Sequence, residues 1–247
     1  MKKCLLFLLV TVLILSLVAC SDGDPYDSVV SGDFVYTQWD MSEAEIAIIG
    51  LSDEGKVKDT LIFPSILDGF RVTQIGSTFG LNNSGPLRIE RANNIYFANS
   101  IINVNTSIEY LQNNDEIIIN VYLGGLNFDS RMYAWTYNIP NSKVYLEESL
   151  YFDLVNSEVI YGNFIAANIE YYTDEDTLYF VDNAEGTLVN VIPPIPYKAG
   201  YEFAGWFKDT NYNQPFKFDE EIIPMKQFDG ENKLLNITKI YAKWLEI

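Results

Sequence analysis

The chain has no histidine, and its two cysteines, Cys4 and Cys20, both fall within the first twenty residues. Imidazole, the commonest general acid–base group at neutral pH, is therefore missing altogether. Beyond residue 20 there is no thiol to attack a substrate, form a disulfide or join a zinc site. Positive charge is scarce too: 16 Lys and Arg stand against 34 Asp and Glu, a net charge of −18. A nucleic-acid partner is excluded on that balance, because phosphate binding needs a basic patch that displaces counterions. What remains open is recognition, carboxylate chemistry of the glycosidase type, or an oxygen-only site for a hard cation. Long stretches of 3.6-residue apolar periodicity are also lacking after residue 33, which argues against a helical architecture.

The amino terminus is the most ordered stretch of pattern. Lys2 and Lys3 precede a nearly continuous apolar run over residues 4–18, closed by Ala19 and Cys20 and followed by polar Ser21-Asp22-Gly23-Asp24-Pro25. Basic, apolar and small-residue segments in that order make a secretory signal. The run is shorter than the roughly 20 apolar residues that span a bilayer. Leu17-Val18-Ala19-Cys20 resembles the lipobox of bacterial lipoproteins. The resemblance implies cleavage before Cys20, lipidation of its sulfur, and tethering to the extracellular face of the cell membrane. Two or more acyl chains of palmitate length hold such an anchor stably. An uncleaved single-span anchor and an ordinary signal with an incidental cysteine are the competing readings of the same run. Residues 1–19 thus read as a signal peptide, and their loss leaves 14 bases against 34 acids, a net charge of −20. Residues 20–32, polar and punctuated by Gly and Pro, read as a flexible tether. Asp22, Asp24 and Asp27 have the look of a calcium loop, but its sixth and twelfth places hold Asp27 and Asp33 instead of Gly and Glu. No metal site is assigned there, and no cofactor.

From residue 33 onward the sequence predicts a mainly β fold. Aromatic residues make up 15 % of the chain, with 17 Tyr and 15 Phe, which suits strands more than helices. Short β-prone runs occur at 34–36, 47–49, 60–63, 95–97, 101–104, 116–123 and 143–146, separated by Gly, Asn, Asp and Pro. Within Ile66-Leu67-Asp68-Gly69-Phe70-Arg71-Val72-Thr73-Gln74-Ile75-Gly76, preceded by Phe63-Pro64 and followed by Phe79, the Asp-Gly pair marks a turn. This stretch resembles the opening of a BspA-like leucine-rich repeat. The resemblance implies a coil of short strands with Ile75 and Phe79 inside, and at least about three stacked turns are needed to bury such a core. Later turns are degenerate. The triplets Ile95-Tyr96-Phe97, Ile117-Ile118-Ile119 and Val144-Tyr145-Leu146 recur at steps of 22 and 27 residues and are taken as equivalent. Asn93, Asn94, Asn103, Asn105, Asn113 and Asn114 are candidates for asparagine ladders, and residues 149–168 show no decisive pattern. Residues 33–165 are therefore expected to be a leucine-rich-repeat-like β domain, an irregular solenoid; an unrelated β-sandwich is the alternative.

Residues 166–247 are expected to form a second, smaller domain. Gly186-Thr187, then Pro196-Tyr197-Lys198-Ala199-Gly200-Tyr201-Glu202-Phe203-Ala204-Gly205-Trp206-Phe207, and finally Ile240-Tyr241-Ala242-Lys243-Trp244 are similar to the signature of the Listeria-Bacteroides repeat. The resemblance implies a small β-grasp-like unit. From the residues themselves, 169–181 read as a hairpin and 238–244 as a strand flanking the motif. Period-2 reasoning places Tyr201, Phe203 and Phe207 on one side, with Gly205 admitting a close neighbour. Residues 224–236 read as an insertion.

Conspicuous side chains have plain structural accounts. Trp206, Trp244 and Tyr201 could stack on sugars but suit a core; Asp174-Glu175-Asp176 suits a hairpin turn better than a cation site. The doublets Glu147-Glu148 and Glu220-Glu221 are read as adjacent strand residues, which face opposite ways, so neither is itself a catalytic pair. The expected function is a surface-anchored, non-catalytic binding or adhesion module for proteins or glycans, with the membrane as its partner through Cys20. A solute-capturing lipoprotein, a cell-wall glycoside hydrolase and a structural stalk are the alternatives.

Overall fold

The computed structural model describes residues 28–40, 44–76, 87–99, 103–104, 108–110, 118–124, 141–156, 164–231 and 233–247. The expected signal peptide, Cys20 and most of the expected tether lie outside them, as do Phe79, Asn105, Asn113, Asn114 and Ile117. The end of that tether is a strand: β1 (Val29–Ser31) pairs antiparallel with β2 (Phe34–Asp40) across a turn at Gly32, whose φ is +52°. β2 then pairs antiparallel with β3 (Glu45–Leu51). A four-residue helix, α1 (Asp53–Lys56), capped by Ser52 accepting from the Gly55 amide, leads into β4 (Thr60–Phe63).

The Asp-Gly signal makes a hairpin. β5 (Ile66–Leu67) and β6 (Phe70–Ile75) pair antiparallel with Leu67 opposite Phe70, and Asp68 and Gly69 both take positive φ, +52° and +85°. Two successive left-handed residues are what a two-residue turn matched to strand twist requires. Val72 and Ile75 are fully buried. The chain continues through β7 (Leu87–Ile89), β8 (Asn94–Phe97), β9 (Asn103–Val104), β10 (Ile108–Tyr110), β11 (Ile119–Leu123) and β12 (Ser142–Leu146). A helix, α2 (Glu148–Asn156), covers part of the stretch without decisive pattern, and β13 (Phe164–Ala166) follows.

Most of these strands stack in parallel, in chain order. β6 pairs with β3 and β9, β7 with β10, and β4, β8, β11, β12 and β13 form a five-stranded parallel ladder. Its register runs Leu61, Ile95, Val121, Val144, Phe164. Val121, not the residue expected from the triplet at 117–119, is thus the equivalent of Ile95 and Val144. The reason is visible in the side chains: this register lets the Asn120 amide donate to Asn94 Oδ1 at 2.9 Å and stacks Tyr122 on Tyr96, and it leaves Ile118 half exposed. Of the expected ladder asparagines, Asn94 alone has a cross-strand asparagine partner among the described residues, and that partner is Asn120; Asn94 also bonds its neighbour Asn93, while Asn103 lies opposite Gln74.

Both faces of the ladder are covered, so its strands read as unbroken apolar runs. Leu61, Phe63, Ile95, Phe97, Val121, Leu123, Val144 and Leu146 point into one core with β2, β3 and β6, where Phe63 stacks on Phe97 at 4.8 Å. Leu150, Tyr151 and Leu154 of α2 close that core. Ile62, Tyr96, Tyr122, Tyr145 and Ile165 point the other way, into a second core.

That second core is shared with a four-stranded mixed sheet. β14 (Ile169–Asp174) and β15 (Thr177–Asp182) form the expected hairpin; β17 (Thr238–Glu246) lies parallel to β14 and antiparallel to β16 (Tyr201–Phe207). The expected alternation in β16 is broken. Phe203 faces Trp244 and Gly205 faces Lys243, so Ala204 is an extra residue, and Gly205 takes φ +119°. This bulge reverses the parity. Phe203 and Trp206 consequently meet edge to face at 5.2 Å, while Phe207 turns to Tyr212 on the other side. Gly205 is needed for its backbone angle, since a Cβ there would meet only the Phe207 ring at an ordinary 3.8 Å.

The fold is therefore mainly β, with two cores meeting at one ladder. Two substitutions test this arrangement. Gly124 follows β11 directly and lies against the C-terminal sheet, where a Cβ would be 2.6 Å from Tyr179 O and 2.7 Å from Phe180 Cα. Backbone cannot retreat as a side chain can, so Gly124→Ala should cost roughly 2 kcal/mol; an unchanged thermal midpoint would mean the two parts are not packed together. Tyr171 is fully buried with a hydroxyl that has no partner. Tyr171→Phe should therefore be neutral or stabilise by up to about 1 kcal/mol in denaturant titration.

Candidate functional site

The contact between ladder and sheet is built from rings. Tyr96, Tyr122 and Tyr145 occupy equivalent places in successive strands and stack at 4.0 and 4.5 Å with planes within 4° and 9°; Phe180 of β15 adds a fourth ring 5.3 Å from Tyr96. Asp182, fully buried at the end of β15, ties the stack down. Its Oδ1 accepts from Tyr96 OH, the Asn183 amide and Asn190 Nδ2, and its Oδ2 from the Asn190 amide, at 2.8–3.0 Å. Burial and the nearby carboxylate push the Tyr96 phenol far above its ordinary value. Asp182 carried no sequence signal beyond an acid closing an apolar strand.

A groove of about 340 Å³ opens along this seam. Ser65 and Arg71 line it from the first part of the chain, Asn99 from the end of β8, Thr173, Asp174, Thr177 and Tyr179 from the β14–β15 hairpin, and Pro196 and Tyr197 from the segment before β16. The floor is polar but satisfied: Ser65 Oγ and Tyr179 OH share a hydrogen bond at 3.2 Å, and burial raises the Tyr179 phenol to about 12. Asn99 uses its amide N–H on Tyr179 O and its Nδ2 on Leu178 O. Arg71 is half exposed and pairs with Glu45 at 3.3 Å. Asp174 pairs with Lys198 at 2.5 Å. Asp174 is the one carboxylate among the lining residues.

The segment before β16 is a strap without regular secondary structure. Pro193 and Pro196 are buried while Ile192, Ile195 and Tyr197 are exposed, a three-residue alternation suited to an extended proline-rich chain. Lys198 pins its end, lying 5.0 Å over the Tyr201 ring as well as on Asp174.

Other residues singled out from sequence fall as follows. Trp206 is buried among Tyr171, Tyr179 and Phe203; Trp244 packs beside Phe203 and donates Nε1–H to Thr173 O; Tyr201 is 39 % exposed. Glu175 and Asp176 form the hairpin turn. Glu220 and Glu221 pair with Lys217 and Lys208 on the surface. Glu148 starts α2 and is not on a strand; its amide donates to Glu170 Oε1. Burial, reinforced by Glu170, raises both Glu147 and Glu148 above the usual carboxylate range. No group of three or more Asp and Glu among the described residues is arranged to hold a metal ion. No helix among them is long and apolar enough to cross a membrane.

The insertion closes the far end of the ladder. Lys226 donates to Ala166 O at 2.6 Å and sits 5.8 Å from the Tyr145 ring, while Phe228 bridges Leu234. Burial lowers the Lys226 ammonium to about 8.

Residues 168–229 match the family model of the Listeria-Bacteroides repeat domain. The match covers β14, β15 and β16 and stops before β17, so the strand in the middle of the motif's sheet comes from beyond the insertion. No curated protein and no solved structure matches the chain.

Lys226 gives a pH signature. Its folded value lies below the ordinary 10.5, so between about pH 8 and 10.5 the unfolded chain holds a proton that the folded chain has released, and stability rises with pH. Relative to Lys226→Met, the wild type should gain about 1 kcal/mol from pH 7 to 10, allowing for solvent screening of a half-buried ammonium. Above pH 10 the raised values of the buried tyrosines favour a protonated folded state and lower the stability of both proteins alike, leaving the gap between them unaffected. Urea titrations across this range check it; a gap independent of pH would mean the ammonium is fully solvated.

Proposed function

We propose that the chain is a surface-anchored lipoprotein that binds without catalysing: a lipid on Cys20, a leucine-rich-repeat-like coil, and a β-grasp-like Listeria-Bacteroides unit docked against it. The observation that carries this reading is the sequence Leu17-Val18-Ala19-Cys20 between an apolar run and a polar stretch, ahead of a chain with no histidine and no further cysteine. The parallel, chain-ordered stacking of β4, β8, β11, β12 and β13 supports the coil. The match over residues 168–229 supports the C-terminal unit. The groove supports binding over chemistry, since its single carboxylate is held by Lys198. A protein or glycan at the cell exterior is the partner class.

Expression of the full chain with an alkyne palmitate analogue tests the anchor. Wild type should be acylated, membrane-bound and cut by protease added to intact cells. Cys20→Ser should carry no label and leave the membrane fraction. Acylation that survives Cys20→Ser, or a chain confined to the cytosol, would overturn the reading.

A further inference from the structure

The groove on the seam allows a narrower statement about ligand chemistry, which rests on the binding-module reading above. Three features of it bear on what fits. The β15 edge beside it is closed to an added strand, because Asn99 already takes the carbonyls of Leu178 and Tyr179. A peptide docking by strand addition needs those groups unpaired. The residues that line the groove are of mixed character: Arg71 with its half-exposed guanidinium, Asp174, Thr177, Thr173, whose hydroxyl donates to Thr177 O at 3.4 Å and can still accept, and the apolar Ile66 and aromatic Tyr197. Tyr197 is 63 % exposed although its neighbour Pro196 is buried, so the ring stands out from an anchored strap. The buried Pro196 fixes the backbone beside the ring, and a solvent-facing ring offers its face to a ligand at little desolvation cost.

Charge selects further. Arg71 and Asp174 are opposite in sign and each already has a partner, so the groove has no net charge to offer an ion. The surrounding protein is strongly acidic and repels anions at long range. The remaining match is a ligand with many hydroxyls, one apolar C–H face and no charge. A volume of about 340 Å³ is at the small end for ligand pockets and suits the terminus of a chain and not its length.

We propose that this groove is a subsite for the neutral terminal sugar of a glycan, with the Tyr197 ring as stacking platform and Arg71, Asp174, Thr173 and Thr177 bonding the hydroxyls. The sugar's C–H face covers the ring while charged and hydroxyl groups on the two walls bond its edge. No bond is made or broken.

The test uses the full chain in detergent micelles on an array of oligosaccharides ending in neutral hexoses or N-acetylhexosamines, alongside sialylated and sulfated counterparts, with titration of the best neutral probe. Neutral termini should bind. Tyr197→Ala should weaken the titrated probe by about tenfold or more, and Tyr197→Phe, which keeps the ring, should stay within about twofold. Both variants should melt with the wild type, since Tyr197 is exposed. Binding of acidic glycans alone, capture of only protein or peptide ligands, no glycan binding, or equal affinity of Tyr197→Ala and wild type would each overturn the proposal. An acylated, surface-exposed chain that binds a protein but no neutral glycan defeats this assignment and leaves the binding-module reading standing. The acylation and protease results decide that reading separately.

Discussion

Everything in the described structure depends on one parallel ladder having two apolar faces. A strand exposes alternate side chains on opposite sides. In β4, β8, β11 and β12 the odd-numbered or even-numbered set that points inward is aliphatic and phenylalanine, while the residue between is Ile62, Tyr96, Tyr122 or Tyr145. An outward row of three stacked tyrosines would be a large exposed apolar patch on a lone domain. Here it is the floor of the second core, and the C-terminal sheet is its cover. The two parts of the chain are consequently joined by packing, hydrogen bonds and a shared core.

The polar chemistry at that contact follows from burying tyrosine. A phenol removed from water needs a partner, and Tyr96 finds it in Asp182. The carboxylate in turn collects three further donors from Asn183 and Asn190, which close the chain just after β15. Tyr179 is handled differently, through the Ser65 hydroxyl on the opposite part. Only Tyr171, surrounded by Phe180, Trp206 and Phe218, lacks a partner among these. The groove lies where these paired groups run out, at the margin of the seam, and so inherits residues from both parts of the chain.

Much of the local structure was legible because it follows from short-range chemistry. Asp68-Gly69 supplied the left-handed pair for a hairpin, and Asp174 to Thr177 supplied the other turn. The ladder strands could be placed from their apolar runs, but not their register. A run such as Glu116-Ile117-Ile118-Ile119-Asn120-Val121-Tyr122-Leu123 permits several alignments, and the choice depends on Asn94 meeting Asn120 and Tyr96 meeting Tyr122 across 26 residues. Alternation in β16 failed for a similar reason: a bulge at Ala204 is decided by its pairing with β17, and nothing before Gly205 announces it. Helix α2 was missed because Glu148, Leu150, Tyr151 and Leu154 make a short amphipathic pattern that only the first core completes.

The mainly β character, the turns, the Listeria-Bacteroides motif and the absence of histidine and thiol chemistry from the body of the chain all follow from composition or from neighbours within a few residues. Long-range packing sets the rest: the burial of the tyrosine row, its anchoring by Asp182, the capping of the ladder by residues 224–231 and 233–236 through Lys226, and the meeting of Arg71, Asn99, Asp174 and Tyr197 at one groove. Those residues are separated by up to 126 positions, Arg71 to Tyr197, and what brings them together is the docking of a sheet onto the outer face of a ladder, which no local pattern encodes.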